Sequence, residues 1–465
     1  MSVSQIPGAV IVPHPPIIVP TVGRGREREV QDTVEAYRTA ARQVADWNPE
    51  VLIITSPHCV MYADYFHISP GKGASGDMSA FGAPQTKLTV EYDGELRDEL
   101  IRQAQGAGIE AGTLGERDPS LDHGTFLPLY FLKEAGVNCP ILRIGLSGFS
   151  PWEHYRLGRC IAGAVDKLRR RAVFVASGDL SHKLKDDGPY GYVPEGPVFD
   201  SKVTDAMAAG DFLQFLTMDE GLCDRAAECG LRSFQIMAGA LDGWSVDARL
   251  LSYEGTFGVG YGVATFTVTG TDENRCFAQQ YEENMRVRME ERKAAEDPWV
   301  RLARLSLETY VRTGKQLDVL PDGLPDEMTT RSAGAFVSLH AHGQLRGCIG
   351  TTAPTRSSVA WEIVRNAVSA CSRDPRFAPV REDELNSLEY SVDVLGEPEV
   401  ISSQTELDVR KYGVIVSCGS RRGLLLPDLE GVDTVEQQIE IALQKGGISS
   451  RERYTLERFE VVRHT

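Results

Sequence analysis

Val173-Phe174-Val175-Ala176-Ser177-Gly178-Asp179-Leu180-Ser181-His182 is the stretch whose reading decides the fold. It opens apolar without alternation, as a strand covered on both faces does. The run then breaks at a polar Ser-Gly-Asp, and a histidine follows. The pattern recurs twice upstream, in Ala9-Val10-Ile11-Val12-Pro13-His14 and in Leu52-Ile53-Ile54-Thr55-Ser56-Pro57-His58. Further apolar runs lie at 140–146, 248–252 and 263–268. Between the runs are stretches with helical period, among them 30–46, where Val30, Val34, Tyr37, Ala41 and Val44 recur three or four apart. Strands alternating with helices predict an α/β domain around a mostly parallel central sheet.

Beyond residue 271 the pattern changes. Residues 272–297 are rich in charge and poor in apolar side chains, and read as a charged helical linker. From 298 onward short strands, a hairpin around His342-Gly343 and amphipathic helices predict an α+β domain. The expected organisation is therefore 1–271, a linker at 272–297, and 298–465.

Composition limits the function classes. The 49 Lys and Arg against 66 Asp and Glu leave a net charge of −17. That balance speaks against a general affinity for nucleic acid or an anionic membrane surface. No apolar run reaches transmembrane length, and the first residues lack the pattern of a signal peptide. The nine cysteines are scattered, with no CxxC pair. Such usage fits a reducing, cytoplasmic setting better than a disulfide framework.

The placement of the histidines is the most informative feature. In open α/β sheets ligands bind beyond the carboxyl ends of the strands. His14, His58 and His182 all lie there, and Pro13, Pro15, Pro16 and Pro57 stiffen two of the loops. A fourth, His123, sits in Leu121-Asp122-His123-Gly124-Thr125, near a helix start. Neutral imidazole suits iron, zinc, copper or nickel. Taken one at a time, a histidine at a strand end reads more simply as a hydrogen-bonded loop residue; three on one sheet edge raise the joint case for a site.

These four segments together resemble the class III extradiol ring-cleavage dioxygenases, a family that also contains Memo-like proteins. The resemblance covers roughly residues 5–270. It implies a non-haem Fe(II) centre held by two histidines and a glutamate, with zinc or another divalent metal as alternatives. The matching histidines are His14 and His58, and the expected glutamate is Glu228, in Ala227-Glu228-Cys229-Gly230. Cys229 competes with it, because Memo-like relatives place a cysteine before the same glycine. Glu254 is a weaker candidate that reads more simply as an acid at a strand end. His182 matches the family's acid/base histidine and His123 a second one that faces substrate or oxygen. The implied substrates are a small catechol-like aromatic and dioxygen. Asp179 reads as a turn residue or as support for the His182 loop.

The second half resembles an AMMECR-type domain, on Leu345-Arg346-Gly347-Cys348-Ile349-Gly350, Asp374-Pro375-Arg376-Phe377 and Gly423-Leu424-Leu425-Leu426-Pro427. Arg346, Gly347 and Cys348 are its candidate site. Arg346 suits a carboxylate or phosphate, and Cys348 reads either as a reactive thiol or as a buried cysteine in a tight turn. His340 and His342 read as surface residues of the hairpin. The two halves on one chain resemble the fused proteins of the AmmeMemoRadiSam system, which implies a radical-SAM protein as a partner. A Memo-like adaptor that binds metal or peptide without catalysis is the second expectation.

Overall fold

The computed structural model describes residues 4–116, 118–341, 344–429 and 431–465. Its contacts divide the chain into two compact units, Met1–Glu283 and Asn284–Thr465. The division falls inside the helix Phe277–Ala295, within the charged stretch 272–297.

Unit 1 is built on a six-stranded sheet. Its strands are β1 (Gly8–Val12), β2 (Val51–Ser56), β3 (Ile141–Gly145), β4 (Ala172–Ser177), β5 (Trp244–Glu254) and β6 (Tyr261–Thr271), in the order β3-β2-β4-β1-β6-β5. The pairs β2–β3, β2–β4 and β1–β4 are parallel. The pairs β1–β6 and β5–β6 are antiparallel. Every residue of β1, β2, β3 and β4 is buried, which is why these strands read as continuous apolar runs. Val10, Val12, Leu52, Ile54, Val173 and Val175 pack in one cluster with helices α1 (Gln31–Asp46) and α3 (His123–Glu134), through Tyr37, Ala40, Val44, Phe126 and Phe131. Between these two helices in the chain lies α2 (Gly94–Gly106). A second pair, α4 (Pro151–Leu168) and α5 (Leu231–Ala240), crosses at glycines. A Cβ on Gly158 would stand 2.0 Å from the Ile236 carbonyl oxygen, and one on Gly239 2.0 Å from that of Tyr155.

Unit 2 is a curled antiparallel sheet with helices. Its strands are β7 (Ala335–Ala341), β8 (Gln344–Gly350), β9 (Leu388–Leu395), β10 (Tyr412–Cys418), β11 (Arg421–Leu425) and β12 (Thr455–His464), in the order β8-β7-β9-β12-β10-β11, with Glu399–Ile401 added beside β12. Helices α6 (Pro298–Thr313) and α7 (Val359–Ser372) bury Leu302, Leu307, Ile363 and Ala367 against Val337, Leu339, Val392 and Val394. Helix α8 (Val435–Gly446) packs Ala442 and Leu443 on Val414, Val416 and Leu425. The hairpin expected around residue 342 forms between β7 and β8; His342 and Gly343 themselves lie outside the described residues.

Candidate metal centre

Three neighbouring strands, β2, β4 and β1, end at the same sheet edge, so the loops after them converge. His14 is buried. Its backbone N–H donates to Asp179 Oδ1 at 2.8 Å, which ties the loop after β1 to the loop after β4. The Ser177 hydroxyl donates to the Gly124 carbonyl at 2.6 Å and lies 3.0 Å from His14 Nδ1. With its only proton so used, the hydroxyl accepts from Nδ1–H. His14 is therefore held in the tautomer whose Nε2 lone pair is free, the form a metal ligand needs.

That Nε2 faces His58 Nε2 at 3.0 Å and the Cys229 sulfur at 3.7 Å. One ligand atom each from His14, His58 and Cys229 lies within 4.8 Å of the others. Tetrahedral coordination at ordinary bond lengths separates two nitrogens by about 3.3 Å and a nitrogen from a thiolate by about 3.6 Å. The two separations from His14 Nε2 lie close to these values, and the donor chemistry, two neutral imidazoles and a thiol, fits a transition metal.

Cys229 reaches this position through glycine. A Cβ on Gly178 would lie 2.1 Å from Gly230 Cα. Backbone thus packs on backbone, drawing the segment of Cys229 onto the loop after β4. The Asp179 N–H points at the Cys229 sulfur at 3.4 Å.

Glu228, expected as the third ligand, is not in this group. Its carboxylate accepts from the Leu231 N–H at 2.7 Å, at the start of α5. The same burial that isolates it pushes its pKa up to about 7. Consecutive residues in this turn point apart, and the cysteine is the one that faces the histidines. Glu254 accepts from the Thr33 N–H and hydroxyl near the first turn of α1, a structural use.

The two expected acid/base histidines border the cluster. His123 is the first residue of α3; Asp122 caps that helix by accepting from the Thr125 N–H at 3.0 Å. The His123 ring stacks on His58 at 4.1 Å between centroids and meets His14 edge-on at 5.3 Å. His182 follows β4 and leans on Tyr190. Burial, first, and then mutual repulsion lower the pKa of His14 to about 3 and of His123 to about 4. Burial is also the first cause that lowers His58 and His182. At neutral pH without metal all four imidazoles are uncharged. Burial raises the Cys229 thiol, with Asp179 and Glu228 adding to it, so a metal would have to displace its proton. Burial likewise lifts Asp179 to about 6.

Several supporting residues escaped the sequence reading. Ser56 donates to Asp122 Oδ1 at 2.6 Å and accepts from the His58 N–H at 3.2 Å. Arg143, buried inside β3, donates to Asp122 Oδ2 at 2.9 Å. Together they link the His58 loop to the start of α3. The signal was present: an arginine in the apolar run Ile141-Leu142-Arg143-Ile144 needs a buried partner.

In unit 2 the structure splits the motif Arg346-Gly347-Cys348. Arg346 pairs with Glu384 through two hydrogen bonds, of 2.7 and 3.1 Å. Gly347 admits α7, since a Cβ there would lie 2.4 Å from the Ala370 carbonyl oxygen. Cys348 faces a separate cavity, and so does His340, which is half-buried and not a surface residue.

Residues 8–264 match the family model described as the catalytic LigB subunit of aromatic ring-opening dioxygenase. Residues 300–464 match the AMMECR1 model. A protein of Clostridium acetobutylicum is 42% identical over 464 residues, covering 98% of both chains. A protein of Thermotoga maritima is 50% identical over 173 residues, 36% of this chain and 98% of its own. An uncharacterised protein of Pyrococcus horikoshii, solved by crystallography, is 30% identical, with a TM-score of 0.33, over 36% of this chain and 88% of its own. The chain therefore belongs to the LigB family of ring-opening dioxygenase-type proteins and carries an AMMECR1 domain behind the LigB fold.

Proposed function

We propose that this protein is a metal-dependent oxidoreductase of the extradiol type, whose metal is held by His14, His58 and Cys229. The observation that carries the reading is the convergence of those three ligand atoms within 4.8 Å of one another, beside two further uncharged histidines. Iron is the metal we expect, with zinc or copper the alternatives that a thiolate favours. When bound, iron would supply the site at which a catechol-like substrate and dioxygen meet.

The chain's own residues supply orientation and proton transfer. His182 is neutral at pH 7 and free to accept a hydroxyl proton from substrate at a ring nitrogen. Asp179, close to His182, favours the imidazolium that results. His123, fixed by its stack on His58 and by the cap at Asp122, places a second imidazole beside the substrate position. Phe81 meets His123 edge-on and Tyr190 borders His182, so both histidines have an aromatic neighbour able to flank a planar ring. A radical-SAM protein is the partner we propose, on the AmmeMemoRadiSam resemblance.

The thiol in the carboxylate's place supports a second reading, a Memo-like metal-binding adaptor without turnover. Two measurements separate them. Metal content after anaerobic purification is expected to be near one per chain in the parent and in Glu228→Gln, and to fall strongly in Cys229→Ser. Oxygen uptake with protocatechuate is expected from the metal-loaded parent and not from His182→Ala. Equal metal in the parent and Cys229→Ser rejects the ligand set. A metal-loaded parent that consumes no oxygen with any simple catechol favours the adaptor.

A further inference from the structure

Unit 2 holds a cavity of about 990 Å³ on the concave side of its curled sheet. Strand alternation explains one wall. The register pairs Ser338 with Cys348 on one side and with Ser391 on the other. These three side chains therefore form a row on the face away from α6 and α7. A solvent-side sheet face is ordinarily open, whereas here β11 and α8 curl over to form the opposite wall. That wall is apolar at Leu424, Leu426 and Leu429 and carries Lys445.

The charges are arranged for a negative guest. Asp374 accepts from the Cys348 N–H at 2.9 Å and from Arg376 at 2.9 and 2.7 Å. The Arg376 guanidinium also reaches the Cys348 carbonyl. Arg463 grips Asp393 at 2.8 and 3.0 Å. Each pairing uses Nε and Nη2, which leaves Nη1 of each guanidinium outside the carboxylate bonds; Arg376 also meets the Cys348 side chain, and Arg463 feels Asp428. Lys445 has no carboxylate partner among the described residues. The three side-chain carboxylates of the wall are already paired, Asp393 with Arg463, Glu389 with Arg292 and Glu296 with Arg304. A cation would have to break those pairs, whereas an anion would meet unused donors.

We propose that this cavity binds a small organic anion, its charged end at the donors beside Cys348 and its apolar body against Leu424, Leu426 and Leu429. The Cys348 thiol stands in the wall of the filled site. Every residue that lines the cavity belongs to unit 2, and none is a ligand of the metal centre proposed in unit 1.

Alkylation of Cys348 in the full-length protein tests the assignment, read by mass spectrometry of the peptide that carries it. In alkylation the sulfur bonds the methylene carbon and iodide leaves, so anionic iodoacetate and neutral iodoacetamide differ chiefly in charge. The rate ratio of iodoacetate to iodoacetamide at Cys348 is expected to exceed that of N-acetylcysteine by on the order of ten-fold, because like-signed donors concentrate an anion in a cleft. The excess shrinks as salt rises. Octanoate is expected to protect Cys348 and octanamide is not. A ratio no higher than that of the free thiol, or no protection by octanoate, overturns the proposal.

Discussion

Ser177 shows how a single hydroxyl decides what a histidine can do. It offers one proton and gives it to the Gly124 carbonyl, so it can only accept from His14. Replacing Ser177 with Ala removes that acceptor and frees the imidazole to turn or change tautomer. Metal affinity is expected to fall about 10–100-fold, the usual cost of losing such an outer partner. The check is a metal titration against a competing chelator. A Ser177→Ala protein with parental affinity would show that packing alone orients His14.

His154 makes the matching case for stability. Its ring is fully buried; Nδ1 lies 2.9 Å from the Ser150 carbonyl, to which it can only donate, and Nε2 accepts from the Ser147 N–H. Both bonds require the neutral ring. Burial, with Arg232 adding to it, lowers the pKa to about 3. The unfolded chain takes up this proton near the ordinary value of about 6.5 and the folded chain does not. Stability from His154 is therefore complete above that pH and is lost progressively as pH falls toward 3. Between pH 6.5 and 5 the loss from this one group is about 2 kcal/mol. Urea unfolding at the two pH values is expected to show a smaller loss in His154→Gln, whose amide offers one donor and one acceptor but does not titrate. Equal losses would mean that the acid sensitivity resides elsewhere.

At the scale of elements, legibility followed burial. Strands β1, β2, β3 and β4 are covered on both faces, so their composition alone marks them. The hairpin Gly73–Met78 with Ala83–Glu91 escaped the reading because its few buried residues, Ala74, Met78, Ala83 and Val90, are spaced among exposed and half-buried ones without a regular apolar alternation. Helix α2 was also missed, although Asp93 caps it by accepting from the Leu96 N–H, a cue that was readable. The histidines were legible because a strand end fixes where its loop begins. The choice between Glu228 and Cys229 was not. It depends on the contact of Gly178 with Gly230, two residues 52 apart in the chain. The crossing of α4 and α5 is equally non-local. A Gly158→Ala change gains about 1 kcal/mol of helix propensity, but its methyl meets the Ile236 carbonyl oxygen and the Ala240 nitrogen, neither of which can swing aside. Overpacking of about 3 kcal/mol is expected to win. A melting temperature unchanged or raised in Gly158→Ala would refute the tight crossing.

At the scale of the molecule, two units with separate cores make stability a two-part quantity. Unit 1 buries Val10, Ile54 and Val175 under α1 and α3, and unit 2 buries Val337, Ile363 and Val392 under α6 and α7. The proposed metal ligands all belong to unit 1. A metal that binds only the folded site stabilises only the unit that holds it, by about 2.7 kcal/mol at a hundred times its dissociation constant. Calorimetry of the metal-loaded chain is therefore expected to show two transitions. A chelator should lower one of them by several degrees and leave the other in place. Cys229→Ser should place the first transition at its chelated position, with or without added metal. One cooperative transition that moves as a whole would mean that the cores unfold together. A chelator that shifts neither transition would mean that the cluster of His14, His58 and Cys229 holds no metal of consequence to the fold.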